Sequence, residues 1–302
     1  MKRHFGNKFK VIGMMSGTSL DGLDLAAVEF HLNNGKWDFS LFTGETVTYS
    51  EKWLNKLKNA PTLSGEQLIE LHSEYGKFIG SKVNRFIKKT GFNPDFIASH
   101  GHTIFHQPEK HFTFQAGNGA EIAASTKITT VADFRTGDVA LGGQGAPLVP
   151  IGDQHLFSEF KYCLNLGGFG NISFESEQKQ IAFDTGPANI ILNYFAEKQG
   201  FAFDKNGELG KRGKVNSELL NSLNNISFYK KNPPKSLGRE WVENTFIPIL
   251  NLAKISDDDK LRTIYEHIAF QISKVVSGNG KMLITGGCAF NSFLLERIKV
   301  HS

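Results

Sequence analysis

Cysteine is nearly absent from this chain, with Cys163 and Cys288 the only two among 302 residues. Two cysteines cannot build the disulfide framework of a small secreted domain, and neither belongs to the repeated Cys-x-x-Cys pairs of a structural zinc site. The sequence therefore excludes both classes. It favours a reducing compartment, and we expect a cytoplasmic protein.

Long apolar runs and an excess of one charge are also missing. No stretch approaches the ~20 apolar residues that span a bilayer, and the basic N-terminal segment lacks the apolar region of a secretory signal. Thirty-four Lys and Arg against 30 Asp and Glu leave a net charge of +4, spread along the chain. The densest basic run, Lys230-Lys231, is short and is followed by two prolines. We predict neither a membrane nor a nucleic-acid partner.

Two common nucleotide-binding motifs are missing as well: the P-loop, and a Gly-x-Gly-x-x-Gly turn with an acidic residue about 20 positions on. The 302 residues, 40% of them apolar, suffice for two domains of roughly 150 residues. The strongest break in composition is the glycine-rich loop 142–147. Just after it we place a boundary between an N-terminal lobe, residues 1–152, and a C-terminal lobe, residues 153–302.

Apolar periodicity predicts hairpins first and helices later in each lobe. The predicted strands cover residues 9–14, 25–30, 37–42, 95–99, 129–132, 162–166, 172–174 and 281–284. The predicted helices cover residues 64–91, 189–198, 257–277 and 293–298. The strand over 95–99 is expected to carry His100 at its end. Both lobes show a strand, a glycine turn and a returning strand, so we predict diverged copies of one unit.

Three glycine-rich turns, at residues 15–19, 166–171 and 285–291, each follow an apolar strand. Such turns can aim backbone N–H groups at phosphate oxygens, because glycine permits unusual backbone angles and a close approach. One turn alone could equally be a structural hairpin or cap. Three, divided between two similar lobes, indicate a nucleotide bound in a cleft. We therefore expect the α/β two-lobed actin-like ATPase (ribonuclease H-like) fold, with a mixed sheet in each lobe and an interlobe cleft.

Seven motifs follow one another along the chain. They are Gly13-Met-Met-Ser-Gly-Thr-Ser-Leu-Asp-Gly-Leu-Asp24, His100-Gly-His-Thr103, Asp133-Phe-Arg135, Gly142-Gly-Gln-Gly-Ala-Pro-Leu-Val-Pro150, Asn165-Leu-Gly-Gly168, Asp184-Thr-Gly-Pro187 and Lys235-Ser-Leu-Gly-Arg-Glu240. In content and order this set resembles the signatures of the anhydro-N-acetylmuramic acid kinase family. The resemblance implies an enzyme of cell-wall recycling, in which water opens the 1,6-anhydro bridge of the sugar. The freed O6 then takes the γ-phosphoryl group of ATP, giving N-acetylmuramic acid 6-phosphate.

The resemblance also implies roles for individual residues. Asp184 would be the base that deprotonates the attacking water, although Asp-Thr-Gly-Pro could instead cap the helix that starts near Asn189. The residues expected to hold ATP are Gly17, Thr18, Ser19, Leu20, Asp21, Gly22, Leu23, Asp24, Gly167, Gly168, Asn171, Gly286, Gly287 and Asn291. Either Asp21 or Asp24 would face Mg²⁺, since this cation prefers carboxylate and water oxygens. The alternative is that Asp21-Gly22 only shapes the turn.

The expected sugar-binding residues are His100, Arg135, Gly143, Gln144, Gly145 and Pro147. Arg135 could hold the sugar carboxylate or the transferred group, or it could form an ordinary surface ion pair. His100, His102 and His106 have a spacing that invites a metal site, but no acidic ligand accompanies them and we do not predict one. Asp204-Lys-Asn-Gly207 mimics only the start of a calcium loop and indicates a turn.

The sequence departs from the family pattern at three places. Ala188 replaces a glycine after the Asp184 motif, Cys288 stands where a third glycine is common, and the chain stops at Ser302, before a further strand and helix of the family. We therefore expect a fold that is truncated at its C-terminal end. The alternatives are a nucleotide-binding but inactive homologue, another sugar kinase of this fold, and a nucleotide-switched interaction protein. A homodimer is possible.

Overall fold

The computed structural model of the protein describes residues 6–17, 20–276 and 278–302. The chain divides into two units, Met1–Leu148 and Val149–Ser302. Each contains one β-sheet and its own hydrophobic core. None of the described helices is both long enough and apolar enough to cross a membrane.

The sheet of the first unit is mixed. Its strands are β1 (Lys8–Ser16), β2 (Leu23–Asn33), β3 (Lys36–Val47), β4 (Phe96–Gln107), β5 (Phe112–Ala116) and β6 (Thr130–Ala132). The helices are α1 (Glu51–Asn59), α2 (Gly65–Thr90), α3 (Gly119–Thr126) and α4 (Thr136–Ala140). The strand order is β3-β2-β1-β4-β5, with β6 also pairing with β4. The first three strands are antiparallel, while β4 runs parallel to β1 and to β6.

Local signals fix the ends of α2 and of the β2–β3 hairpin. The Ser64 hydroxyl accepts the N–H of Gln67, whose side chain accepts the N–H of Ser64, and this reciprocal cap starts α2. Gly91 ends it in the left-handed conformation with φ of 70°. Asn34 and Gly35 both have positive φ, as a two-residue hairpin turn requires. The predictions for these segments are confirmed.

The prediction for β4 is wrong at its C-terminal end. The strand continues past Ser99 to Gln107, so His100 and His102 lie inside β4 and not at its end. The neighbouring strand explains the extension, because β5 follows after one turn and pairs antiparallel with β4 from His102 to Gln107. Backbone pairing with β5 thus keeps these polar residues in an extended strand.

The sheet of the second unit is also mixed. Its strands are β7 (Tyr162–Leu166), β8 (Phe169–Ser176), β9 (Lys179–Pro187) and β10 (Met282–Thr285), in the order β10-β7-β8-β9. The helices are α5 (Val149–Leu156), α6 (Asn189–Lys198), α7 (Ser217–Asn224), α8 (Arg239–Trp241), α9 (Ile247–Leu252), α10 (Asp257–Ser273) and α11 (Ser292–His301). Strands β7 to β9 are antiparallel and β10 is parallel to β7.

The two units share one topology: an antiparallel meander of three strands, with a fourth strand parallel to the first. This mixed α/β plan confirms the predicted actin-like fold class. Several details differ from the predictions, which contained neither strands β5 and β9 nor helices α4, α7, α8 and α9. Helix α10 ends at Ser273, four residues before the predicted end. Helix α5 was also not predicted, because it contains Pro150 and follows directly on the glycine-rich loop.

Candidate active site

A row of polar side chains crosses the sheet of the second unit. Thr285 of β10 pairs with Asn165 of β7, Asn165 pairs with Asn171 of β8, and Asn171 pairs with Asp184 of β9. Residues opposite each other on neighbouring strands lie on the same face of a sheet. The pairing thus brings two predicted residues, Asn171 and Asp184, side by side, and it adds Asn165 and Thr285 to them.

The Asp184 side chain is partly buried and has one strong contact. Its Oδ2 accepts the backbone N–H of Leu237 at 2.7 Å, while its own N–H donates to the carbonyl of Lys235 at 3.0 Å. Burial raises the pKa of this carboxyl to about 6, against the lowering effect of the Leu237 N–H. The carboxylate is therefore held by the segment that starts at Lys235, and near neutral pH it can take up a proton.

Asp184 does not cap α6. That helix has Ala188 at its N-cap position, and no side chain supplies a capping hydrogen bond. The capping alternative is therefore wrong. The backbone N–H groups at the start of α6 donate instead to the carbonyls of Gly167 and Gly168. The donors are Ala188, Asn189 and Ile190, at 2.8 to 3.1 Å.

The glycine turn at Gly167-Gly168 connects β7 to β8. Its carbonyls are used by α6, whereas among the described residues its two N–H groups have no hydrogen-bond acceptor. Free, adjacent N–H groups on a glycine turn are the donors that phosphate oxygens use. This geometry is compatible with the predicted phosphate role of both glycines.

The end of β9, after Asp184, lies close to the Tyr229 hydroxyl. Gly186 has φ of +152°, and a side chain there would meet that hydroxyl at 3.1 Å, so both the backbone and the space favour glycine. The Tyr229 hydroxyl lies 2.8 Å from Nε2 of the fully buried His267. Nδ1 of His267 lies 2.7 Å from Oδ1 of Asn224. Burial lowers the pKa of His267 to about 3, so the imidazole that contacts Tyr229 and Asn224 is uncharged at neutral pH.

Two residues predicted to hold ATP, Gly287 and Asn291, line a cavity of about 220 Å³. Gly286 allows β10 to approach β7 closely, because a side chain there would meet Asn165 Oδ1 at 2.5 Å. Asn291 is less available than predicted. Its amide donates to the Tyr265 hydroxyl at 2.7 Å and its Oδ1 caps α11. The cavity is lined by Asn189, Leu192, Asn193, Phe203, Asp204, Lys205, Asn206, Gly287, Cys288, Phe290 and Asn291.

Cys288 and Asp204 reinforce the wall of this cavity. The Cys288 thiol is buried, its pKa is raised to about 12 by burial, and it donates to Asn189 Oδ1 at 2.8 Å. Asp204 accepts the N–H groups of Leu209 and Gly210 and the Tyr265 hydroxyl at 2.9 to 3.0 Å. Both residues are structural parts of the pocket. Phe203 and Phe290, in contrast, are 59% and 85% exposed, so their rings are free to stack on a ligand.

In the first unit, the turn between β1 and β2 carries the other predicted phosphate ligands. Leu20 closes it, donating its N–H to the carbonyl of Gly17 at 3.1 Å. A side chain at Gly22 would meet Val47 O at 2.8 Å, so this glycine is also needed for packing, and Leu23 is buried. Asp21 and Asp24 are exposed, and Asp24 Oδ1 accepts the Thr46 hydroxyl at 2.5 Å. Thr18 and Ser19 lie outside the described residues.

Arg135, His100 and Gly145, all predicted to bind the sugar, lie together. Arg135 donates from Nε to His100 Nε2 at 3.0 Å and from Nη1 to the Gly145 carbonyl at 2.5 Å. Burial lowers the pKa of His100, so its imidazole is neutral and takes the acceptor role at Nε2. Among the described residues Arg135 has no carboxylate partner, so it does not form the surface ion pair considered above. The half-buried guanidinium is therefore available to an anionic ligand.

The loop that supplies Gly145 folds around a residue not predicted from the sequence. Asp138 Oδ2 accepts the Gly145 N–H at 2.6 Å, and its backbone carbonyl accepts the Gly143 N–H at 2.8 Å. A side chain at either glycine would clash, with Asp138 at Gly143 and with Val139 at Gly145. Gln144 and Pro147 are exposed on this loop.

The three histidines of β4 have separate partners. His106 Nδ1 lies 3.1 Å from the Thr113 hydroxyl, and His102 Nδ1 lies 2.9 Å from the Ser16 hydroxyl. Within residues 6–17, 20–276 and 278–302, no group of three or more His, Cys, Asp and Glu side chains is placed to hold a metal ion.

Each unit combines a mixed sheet with a glycine turn after its first strand, which is the plan of the actin-like ATPase class. The family model for anhydro-N-acetylmuramic acid kinase matches residues 9–301, so the chain belongs to that family.

Similar proteins carry the same name. The chain is 36% identical to anhydro-N-acetylmuramic acid kinase of Pasteurella multocida strain Pm70, over 95% of this chain and 80% of that protein. It is also 36% identical to the kinase of Caldanaerobacter subterraneus subsp. tengcongensis, over 96% of this chain and 82% of that protein. Among solved structures, component A of the (R)-2-hydroxyglutaryl-CoA dehydratase of Acidaminococcus fermentans aligns with a TM-score of 0.44 and 10% identity, covering 97% of this chain and 88% of that one.

Proposed function

We propose that this protein is an ATP-dependent kinase that opens the anhydro bridge of 1,6-anhydro-N-acetylmuramic acid with water and phosphorylates O6. The observation that carries the proposal is the largely buried carboxylate of Asp184, with its raised pKa, in a polar row beside a glycine turn. Family membership supplies the substrate, and the chemistry of the residues supplies the roles.

Asp184 would act as the general base. Oδ2 is held by Leu237, which leaves Oδ1 to accept a proton from water as the water oxygen attacks the anomeric carbon. The bond from that carbon to O6 would break as the water oxygen bonds to the carbon, and the proton taken by Asp184 would pass to solvent. The freed O6 oxyanion would attack the γ-phosphorus of ATP, and ADP would leave with the bridging oxygen. A carboxyl with a pKa of about 6 is mostly ionised at pH 7 and remains basic enough to assist.

ATP would be bound by the glycine turns, through the free N–H groups of Gly167 and Gly168 and the turn closed by Leu20. The adenine ring of ATP would enter the cavity beside Gly287, where Phe203 and Phe290 offer exposed aromatic faces.

Mg²⁺ fits the first turn. This cation keeps several waters and needs only one or two protein carboxylates beside phosphate oxygens, and Asp21 and Asp24 offer exposed carboxylates with at least one free oxygen each. When bound, the ion would neutralise charge on the β- and γ-phosphate oxygens. Thr46 would orient the Asp24 carboxylate.

Arg135 would hold the carboxylate of the muramic acid side chain. Its guanidinium is desolvated, fixed at two points by His100 and Gly145, and lacks a carboxylate partner among the described residues. Two fixed donors leave the remaining N–H groups for a charge-assisted contact.

The test is an ADP-release assay with 1,6-anhydro-N-acetylmuramic acid, Mg²⁺ and ATP, with mass spectrometry of the product. We expect a product heavier by one water and one phosphoryl group, and loss of turnover in Asp184→Asn. A product that gains phosphate without water would point to a different sugar kinase. ATP binding without turnover would identify an inactive homologue.

A further inference from the structure

A short segment at the outer edge of the second sheet holds Asp184 at two points. Strand β9 is the last strand in the order β10-β7-β8-β9, and residues 235–237 contact it there. The Asp184 N–H donates to the Lys235 carbonyl at 3.0 Å, and the Leu237 N–H donates to Asp184 Oδ2 at 2.7 Å. The direction of the proposed base therefore depends on what holds this segment in place.

The side chain of Lys235 holds the segment from the other face of the sheet. Its ammonium lies 5.5 Å from the centre of the Phe183 ring and 5.0 Å from the centre of the Phe228 ring. Both rings belong to the hydrophobic core of the second unit. Phe183 precedes Asp184 on β9, so the two side chains point to opposite faces. The segment thus contacts β9 on both faces, through a side chain on one and a backbone N–H on the other.

The Lys235 ammonium is held where its charge would otherwise be unfavourable. A lysine at a protein surface normally carries its ammonium into water. Here the side chain is partly buried, and burial together with the nearby Lys274 lowers the pKa of Lys235. The two ring faces attract a cation, and the Phe228 carbonyl oxygen lies 3.5 Å from Nζ. These contacts offset the burial and fix the position of the side chain.

We propose that Lys235 is a positioning residue for the Asp184 base. Its ammonium, held against the two aromatic rings, keeps residues 235–237 on β9 and so fixes the direction of the Asp184 carboxylate. This inference rests on the proposed function, which assigns the base to Asp184. Lys235 acts through the Leu237 N–H and takes no part in the reaction itself.

The test compares Lys235→Met, Lys235→Arg and Lys231→Met in the full chain. Methionine keeps an unbranched side chain without the charge, whereas arginine keeps a cation that stacks on aromatic faces. Lys231 is exposed, so its substitution is the matched control. Hydrogen exchange, measured by mass spectrometry on peptides that contain Asp184 or Leu237, reports on the two backbone N–H groups of the contact.

Loss of the contact with two rings should speed exchange at these amides roughly tenfold in Lys235→Met, and less than about threefold in Lys235→Arg. A misdirected carboxylate slows the chemical step without weakening binding. We therefore expect kcat of Lys235→Met to fall about tenfold or more, with KM for the sugar and for ATP within about twofold of the parent. Lys235→Arg should keep kcat within about threefold of the parent, and Lys231→Met should match the parent in both measurements.

Hydrogen exchange separates this inference from the proposed function. If the parent shows no turnover, the proposed function fails, but faster exchange at Asp184 and Leu237 in Lys235→Met still supports the contact. Unchanged exchange in Lys235→Met overturns the inference, and so does faster exchange with an unchanged kcat. An arginine variant that behaves like the methionine variant while melting at the parent temperature also overturns it. So does faster exchange spread over the whole second unit, because that result would mark a general loss of stability.

Discussion

Replacing Asp184 by Asn should abolish activity and at the same time stabilise the protein. The pKa of this carboxyl rises from an ordinary 3.8 to about 6 because burial disfavours its charge. A raised pKa means that the folded state binds the proton more tightly than the unfolded state. The ionised carboxylate therefore destabilises the fold at neutral pH. An uncharged amide removes that cost, and its oxygen can take the place of Oδ2 as the acceptor of the Leu237 N–H.

The magnitude follows from proton linkage. A difference of about two pKa units corresponds to at most ~3 kcal/mol, which is reached at and above pH 7 and shrinks to ~0.5 kcal/mol at pH 4. Stability of the parent falls as pH rises from about 4 to about 6, because its extra bound proton is lost over that window. For a cooperative unit of roughly 150 residues, ~3 kcal/mol raises the melting temperature by ~10 °C.

The assay is thermal unfolding of parent and Asp184→Asn from pH 4 to pH 8, alongside turnover at each pH. We expect a melting-temperature difference that opens with pH, and parent kcat/KM that falls about tenfold per unit below pH 6. Asp259→Asn is a matched control of opposite sign, since the Lys214 N–H holds the pKa of Asp259 below its ordinary value. An Asp184→Asn protein that melts at or below the parent temperature at pH 8 would refute this account of the site.

Three further substitutions test other parts of the site. Arg135→Ala should raise KM for the sugar by ~10- to 100-fold without a matching change in KM for ATP, and Arg135→Lys should be intermediate, because a lysine lacks the fork of donors. Phe290→Ala should raise KM for ATP by roughly fivefold with little change in melting temperature, since its ring is 85% exposed. Gly145→Ala should destabilise the protein by ~1–3 kcal/mol, because φ is +62° and the new methyl group would meet Val139 at 2.7 Å. Gly137→Ala is its control, because nothing lies within 4 Å of a side chain there.

Short-range signals made much of the fold predictable. The cap at Ser64, the stop at Gly91 and the turn at Asn34-Gly35 act within a few residues, so the sequence alone contains their cause. The end of β4 was missed because its extension depends on β5, whose partner residues are a turn away and pair only in the folded sheet.

The candidate site was also predictable only where the signal lies within a short stretch of sequence. The motifs named Asp184 with Asn171, and Arg135 with His100 and Gly145, but not the other residues that hold them in place. Asp138 could not be predicted, because it accepts backbone N–H groups of the glycine loop and such contacts form only once the loop is folded. Ser16 and His102 stand 86 residues apart and meet only because β4 pairs with β1. Contacts made through sheet register leave no local pattern in a sequence.

Register also ties the chemistry to the core of the second unit. On β9, Phe183 is paired with Ile172 of β8, and its ring is buried in the core. The next residue, Asp184, points to the opposite face of the sheet, beside Asn171. A shift of one residue would exchange the two faces, moving Phe183 out of the hydrophobic core and the Asp184 carboxylate into it. Exposing a buried Phe costs ~2–3 kcal/mol, and an unpaired buried carboxylate adds several more. The apolar alternation of this strand, which has no chemical part in catalysis, is therefore what fixes the face on which Asp184 meets its ligand.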